Sequence, residues 1–167
     1  MQIAYHNRSL ALYATLGFEV RDLLGCLQGA PPRIAIPGYR VRRATSDDLD
    51  ACNTLCRNVP RHDRGTELAD GISLGKAMVV EHDGRITGYA TGIGLFDHAV
   101  GECSEALKAL IASVERIEGT GVLVPTTNAE LFRWCLRNGL RIVDMRTLMA
   151  TGLYSTPRGA YLPAILY

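Results

Sequence analysis

No stretch of this chain approaches the roughly 18 consecutive apolar residues that a membrane-spanning helix needs. The N-terminus also lacks the basic-then-apolar layout of a secretory signal. Charge of one sign is missing too: 18 basic and 17 acidic residues leave a formal net charge of +1, without a basic run or interleaved aromatics. Nucleic acid and anionic membranes are therefore poor candidates for the main partner. Cys-x-x-Cys is absent, and the five cysteines, at 26, 52, 56, 103 and 135, form an odd set. That counts against a disulfide framework and against structural zinc. Cys52 and Cys56, four apart on a predicted helix with His62 beyond, read as buried thiols. These absences together predict a cytoplasmic protein. What is present suffices for a core, since 167 residues with 47% apolar content fit one ordinary domain.

One helix-to-strand junction is written twice, as Asn7-Arg8-Ser9-Leu10-Ala11-Leu12-Tyr13-Ala14-Thr15-Leu16-Gly17-Phe18-Glu19-Val20 and as residues 128–143. In each copy an Asn opens an amphipathic helix, a Gly just past its end can turn left-handed, and an apolar strand follows. Between the copies, Gly25, Gly29, Pro31, Pro32, Pro37 and Gly38 concentrate chain breakers and place a boundary near Pro37. Residues 1–37 then read as the tail of one module and a linker, and residues 38–167 as a whole second module.

Within that second module a strand is predicted from Tyr39 through Arg43. Thr45-Ser46-Asp47-Asp48-Leu49 opens a helix running to about Val59, with carboxylates at its positive end. A second helix covers roughly 66–74. Runs 77–81 and 86–93 flank His82-Asp83-Gly84-Arg85, a hairpin signal. After residues 94–101, a helix from about Glu102 to Val114 carries one apolar stripe, at 106, 107, 110, 111 and 114. A strand over 121–124, the Asn128 helix, and strands over 141–154 and 160–167 close the chain. Such alternation implies a mixed sheet with helices on both faces.

The junction with Tyr13 one turn ahead of Leu16-Gly17-Phe18 resembles the last helix and following strand of GNAT-type N-acetyltransferases. The element order of residues 39–167 is similar to that family's. The resemblance implies the α/β GNAT fold, here preceded by the remnant of another GNAT module, as in the C-terminal portion of a tandem protein. It also implies acetyl-CoA as co-substrate, bound along a split between central strands, and transfer of acetyl to a small-molecule or peptide amine. By the same resemblance Tyr13 would protonate the departing thiolate. Its residue-level alternative is a packing aromatic whose hydroxyl reaches water.

The family's pyrophosphate loop corresponds to His98-Ala99-Val100-Gly101-Glu102-Cys103, which keeps the middle Gly and loses both ends of the usual pattern. Leu95, Phe96, Gly101, Glu102, Cys103 and Asn128 are thus the expected coenzyme contacts, Asn128 because helix N-termini present unpaired N–H groups. Cys103 is bulky where the backbone must approach phosphate. Glu102, near the helix start, would oppose a pyrophosphate by up to about 1 kcal/mol if exposed there. His98, beside Asp97, is the candidate to take a proton from the amine, because imidazole titrates near neutral pH. His62 and Asp63 lie where the family admits its acceptor, and the plain alternative is a solvated loop. His6 and His82 read as surface residues.

In the second copy, the position four before Gly139 is Cys135 rather than Tyr, and neither Phe132 nor Trp134 can donate the proton of a phenol. Two further readings follow: a catalytically silent GNAT-like module that packs on a catalytic partner, and a module that binds an acyl-CoA without turnover. Apolar residues of the N-terminal segment, Leu12, Leu16, Phe18, Val20, Leu23 and Leu24, need covering. They are expected to join the second module's sheet or to exchange with another copy, giving a homodimer.

Overall fold

Asp83 and Gly84 take φ of 50° and 75°, so both turn residues are left-handed and the strands they join twist into register, His82 opposite Arg85. The hairpin signal in the sequence therefore produces a tight two-residue turn. Gly17 (φ 84°) and Gly139 (φ 91°) end their helices in the left-handed conformation that both copies of the junction predict. Asn128 caps the second copy by accepting from the Leu131 N–H at 3.1 Å. The first copy differs: His6, not Asn7, is the cap, its ring nitrogen 3.3 Å from the Ser9 N–H. Asn7 is already the first helical residue.

The computed structural model describes residues 1–61 and 63–166, so the reading of His62 as an acceptor-site residue and of Tyr167 as a strand end fall outside it. In chain order the elements are β1 (Gln2–Ile3), α1 (Asn7–Thr15), β2 (Glu19–Gln28), β3 (Tyr39–Arg43), a 3-10 turn (Ser46–Asp48), α2 (Leu49–Asn58) and α3 (Gly65–Ser73). Then come β4 (Met78–His82), β5 (Arg85–Ala90), β6 (Ala99–Gly101), α4 (Ser104–Ser113), β7 (Val122–Pro125), α5 (Ala129–Arg137), β8 (Arg141–Ala150) and β9 (Ala160–Leu162). Residues 94–101, to which the sequence reading assigns no strand, thus contain β6, and the final strand is shorter than 160–167.

The described residues form no single mixed sheet. The strands make two sheets, each antiparallel throughout, ordered β1-β8-β2-β7 and β3-β4-β5-β6-β9. Their junction is one parallel bridge between Gly94 and Glu118, just ahead of β6 and β7. From that bridge β6 and β7 run forward without pairing with each other, and the wedge between them is occupied by β9, which pairs with β6 and contacts β7.

Helices cover both faces, as the sequence pattern implies. The α4 stripe (Ala106, Leu107, Leu110, Ile111) and Leu131 and Cys135 of α5 pack with Val80, Ala90, Ala99, Val122 and Val124. On the opposite face, Cys52, Leu55 and Cys56 of α2 and Leu68 of α3 pack with Val79, Tyr89 and Val100. Burial raises the Cys52 and Cys135 thiols to about 12, so both are inert apolar groups at neutral pH.

Strand β2 of the N-terminal segment lies between β7 and β8, paired with both. Leu24, Cys26 and Leu27 are buried there, whereas Leu12, Leu16, Val20 and Leu23 stay exposed. α1 itself buries no residue.

Candidate active site

At its wide end the wedge is bounded by the last residues of β6 and β7 and by the helices that follow them. Cys103 caps α4 in an extended conformation (φ −148°, ψ 171°) and supplies no side-chain acceptor to the helix. Its thiol instead meets the Tyr39 hydroxyl at 3.2 Å. That hydrogen bond, and then burial, push Tyr39 up to about 12. The Ser104 hydroxyl lies 3.1 Å from Asn128 Oδ1, which ties the start of α4 to the start of α5. Two helix N-termini therefore converge on one opening, and their unpaired N–H groups and dipoles both favour an anion there.

Between them is a cavity of about 410 Å³, lined by Cys103, Ser104, Thr127 and Asn128 from the helix starts, by Arg21 and Asp22 of β2, and by Tyr154 from the irregular stretch after β8. Asp22 accepts from the Thr127 hydroxyl at 2.5 Å through Oδ2, while its buried Oδ1 and the buried Nε of Arg21 have no hydrogen-bond partner among the described residues. Arg21 also lies over the Tyr154 ring, 5.4 Å from its centroid. Unmatched buried donors and acceptors beside an open cavity are what a polar ligand would satisfy.

Glu102 does not sit over the α4 terminus. Its carboxylate turns to Arg85, with contacts of 2.5 and 2.7 Å, which hold it below the usual carboxylate range. The repulsion expected of it is therefore largely neutralised by an adjacent guanidinium. Gly101 pairs with Gly88 on one side and Ala160 on the other, and a Cβ there would meet Ala106 and the Cys103 carbonyl at 3.1 Å. Among the expected coenzyme contacts, Cys103 and Asn128 line the cavity and Gly101 and Glu102 lead into it. Phe96 is 70% exposed, and Leu95 is half-buried against the Leu24 cluster at the closed end of the wedge.

His98 lies elsewhere than a solvated base would. It is 3% exposed beneath α3, with its Nε2 3.0 Å from the Tyr89 hydroxyl and its Nδ1 3.1 Å from Glu67. Burial, helped by the Arg64 guanidinium, lowers it to about 3, so the ring is neutral. Glu67, half exposed and screened by water, opposes this only weakly. A neutral ring then donates from Nδ1 to Glu67 and accepts at Nε2 from Tyr89. A void of about 10 Å³ adjoins it, lined also by Tyr161, Leu162 and Pro163.

Tyr13 stands on α1, 36% exposed, edge-on to Phe18 at 5.5 Å, and is not among the cavity residues. The structure thus brings Cys103 and Asn128 together, and keeps Tyr13, Phe96 and His98 apart from them.

Sequence reading missed Ser104, Thr127, Arg21 and Asp22. The first two carried a usable signal, because each adjoins a residue already singled out at a helix start. Arg21 and Asp22 carried none, since their place depends on where β2 inserts.

No family model and no curated protein matches the chain. Solved structures do match in fold. One is that of a proposed acetyltransferase from Pyrococcus horikoshii, at 11% identity and a TM-score of 0.69, covering 95% of this chain and 57% of that one. Another is a Drosophila protein, at 14% identity and a TM-score of 0.58, covering 91% of this chain and 59% of that one. The chain therefore spans somewhat over half the length of each of these structures, and at such identities it shares their fold alone.

Proposed function

We propose that this chain is a GNAT-type acetyltransferase module that moves an acetyl group from acetyl-CoA to the amine of a small molecule or peptide. The observation that carries this reading is the wedge: two strands leave a parallel junction at Gly94 and Glu118, and the N-termini of α4 and α5 meet at its mouth. The fold shared with the Pyrococcus protein supports it. In this reading the backbone N–H groups at Ser104 and after Asn128, with Arg21, hold the coenzyme's phosphates. The neutral amine attacks the thioester carbonyl, the C–S bond breaks, and the departing thiolate takes up, through solvent, the proton that the new amide nitrogen loses. Proximity and orientation supply most of the acceleration.

Calorimetric titration of acetyl-CoA, with Ser104→Asp as control, tests the reading. An Asp in the first turn suits the helix dipole, so the variant should fold, while its charge repels phosphate at the same place. Micromolar binding to the native chain, weakened at least tenfold in Ser104→Asp, is expected; the absence of binding in both would sink the reading.

A second reading is favoured by another observation. Residues 160–162 pair along β6 inside the wedge, and Tyr13 lies away from the cavity. A catalytically silent module, packed on a catalytic partner or binding an acyl-CoA without turnover, fits those facts. Assay of free coenzyme thiol over a panel of amines separates the two: release supports transfer, and binding without release supports the silent module.

A further inference from the structure

β6 gives one edge to β5 and the other to the chain's own closing segment. Gly101 faces Ala160, Val100 faces Tyr161 and Ala99 faces Leu162, and the pairing continues through the Ile165 N–H, which donates to the Leu95 carbonyl at 2.8 Å. Residues 159–165 therefore run back along the full length of the wedge, from its mouth to near the Gly94 junction, and β9 packs against β7 on the other side. The filling is dry: Ala160, Tyr161, Leu162 and Ala164 are each at most 7% exposed. Backbone groups of β6 that an extended, amide-bearing ligand arm would use are thus already hydrogen-bonded to protein.

Ala160 and Leu162 of this segment belong to the main apolar cluster, but the tether that leads into it is irregular. The segment follows residues 151–158, which have no regular structure and are mostly exposed, with Leu153 wholly in solvent. The strand itself has three residues. The cavity at the helix N-termini opens beside Gly159, Ala160 and Tyr161, so the mouth of the wedge is accessible while its inner part is filled.

We propose that residues 159–165 are a displaceable strap, and that the arm of an acyl-CoA and the strap compete for the edge of β6 that faces β7. This rests on the coenzyme reading above. Phosphate would dock first at the α4 and α5 termini, and the arm would then lift the strap toward the 151–158 segment. Competition of this kind lowers apparent affinity by the fraction of molecules in which the strap is out, so weakening the strap tightens binding.

The test uses the full chain, acetyl-CoA as the probe, and two readouts: calorimetric affinity and hydrogen exchange of the amides of 160–165. Leu162→Ala removes a fully buried strap side chain; Ile165→Ala removes a half-buried one and serves where the first variant fails to fold. Expected are an apparent Kd about tenfold tighter in either variant, and faster exchange at 160–165 on saturation with β5 amides unchanged. Equal or weaker binding by the variants, with 160–165 still protected, overturns the strap and leaves the coenzyme reading standing. No binding by the native chain or by either variant overturns both, and makes residues 159–165 a permanent part of the core.

Discussion

Below pH 6.5 the unfolded chain takes up a proton on His98 that the folded chain refuses until about pH 3, because the ring is buried between Glu67 and Tyr89. A folded-state value depressed below the unfolded one contributes stability that is fully present above the unfolded value and is lost as pH falls. We expect stability to drop by up to about 1.4 kcal/mol per pH unit from near 6.5 downward from this group alone. Urea titrations at a series of pH values should show a shallower acid limb in His98→Gln; an unchanged limb would mean that His98 does not control it. At this scale sequence reading succeeded where the cause is local. Gly17, Gly139 and Asn128 do what a helix end demands of them. It failed for Glu102 and His98, whose settings come from Arg85, Glu67 and Tyr89, residues brought close by strand pairing and helix docking rather than by spacing.

Strand β2 and helix α5 touch so closely that one glycine decides their fit. A Cβ at Gly25 would stand 2.5 Å from the Phe132 ring. Gly25→Val should therefore push α5 off the sheet and cost about 1–3 kcal/mol, the usual penalty for overpacking. Chemical denaturation measures the loss, and a cost below about 0.5 kcal/mol would show that Phe132 simply swings aside. Most elements were legible at this scale: β3 has the predicted bounds, the α4 stripe is buried as its spacing requires, and β4 and β5 meet at Asp83-Gly84. β6 was not, because Ala99–Gly101 is a three-residue strand just after Gly94 and Asp97 and carries no alternation of its own.

Across the whole molecule, pairing of β2 with β7 and β8 ties residues 19–28 to residues 122–150. Unfolding should then be one cooperative event. Trp134 fluorescence and far-ultraviolet circular dichroism should give coincident urea transitions. Separated midpoints would instead show residues 1–37 and 38–167 unfolding as independent units.

What the sequence by itself determined is what propensity, capping and periodicity can encode within a dozen residues: the helices, the hairpin and the two apolar helix faces. Only the tertiary structure decided that the strands divide into two sheets, that β2 is central in one of them, that residues 159–165 occupy the wedge, and that His98 is buried and neutral. Each of those depends on partners tens to more than a hundred residues apart. Strand edges of similar composition compete for such pairings, and the choice among them is made by closing the whole core.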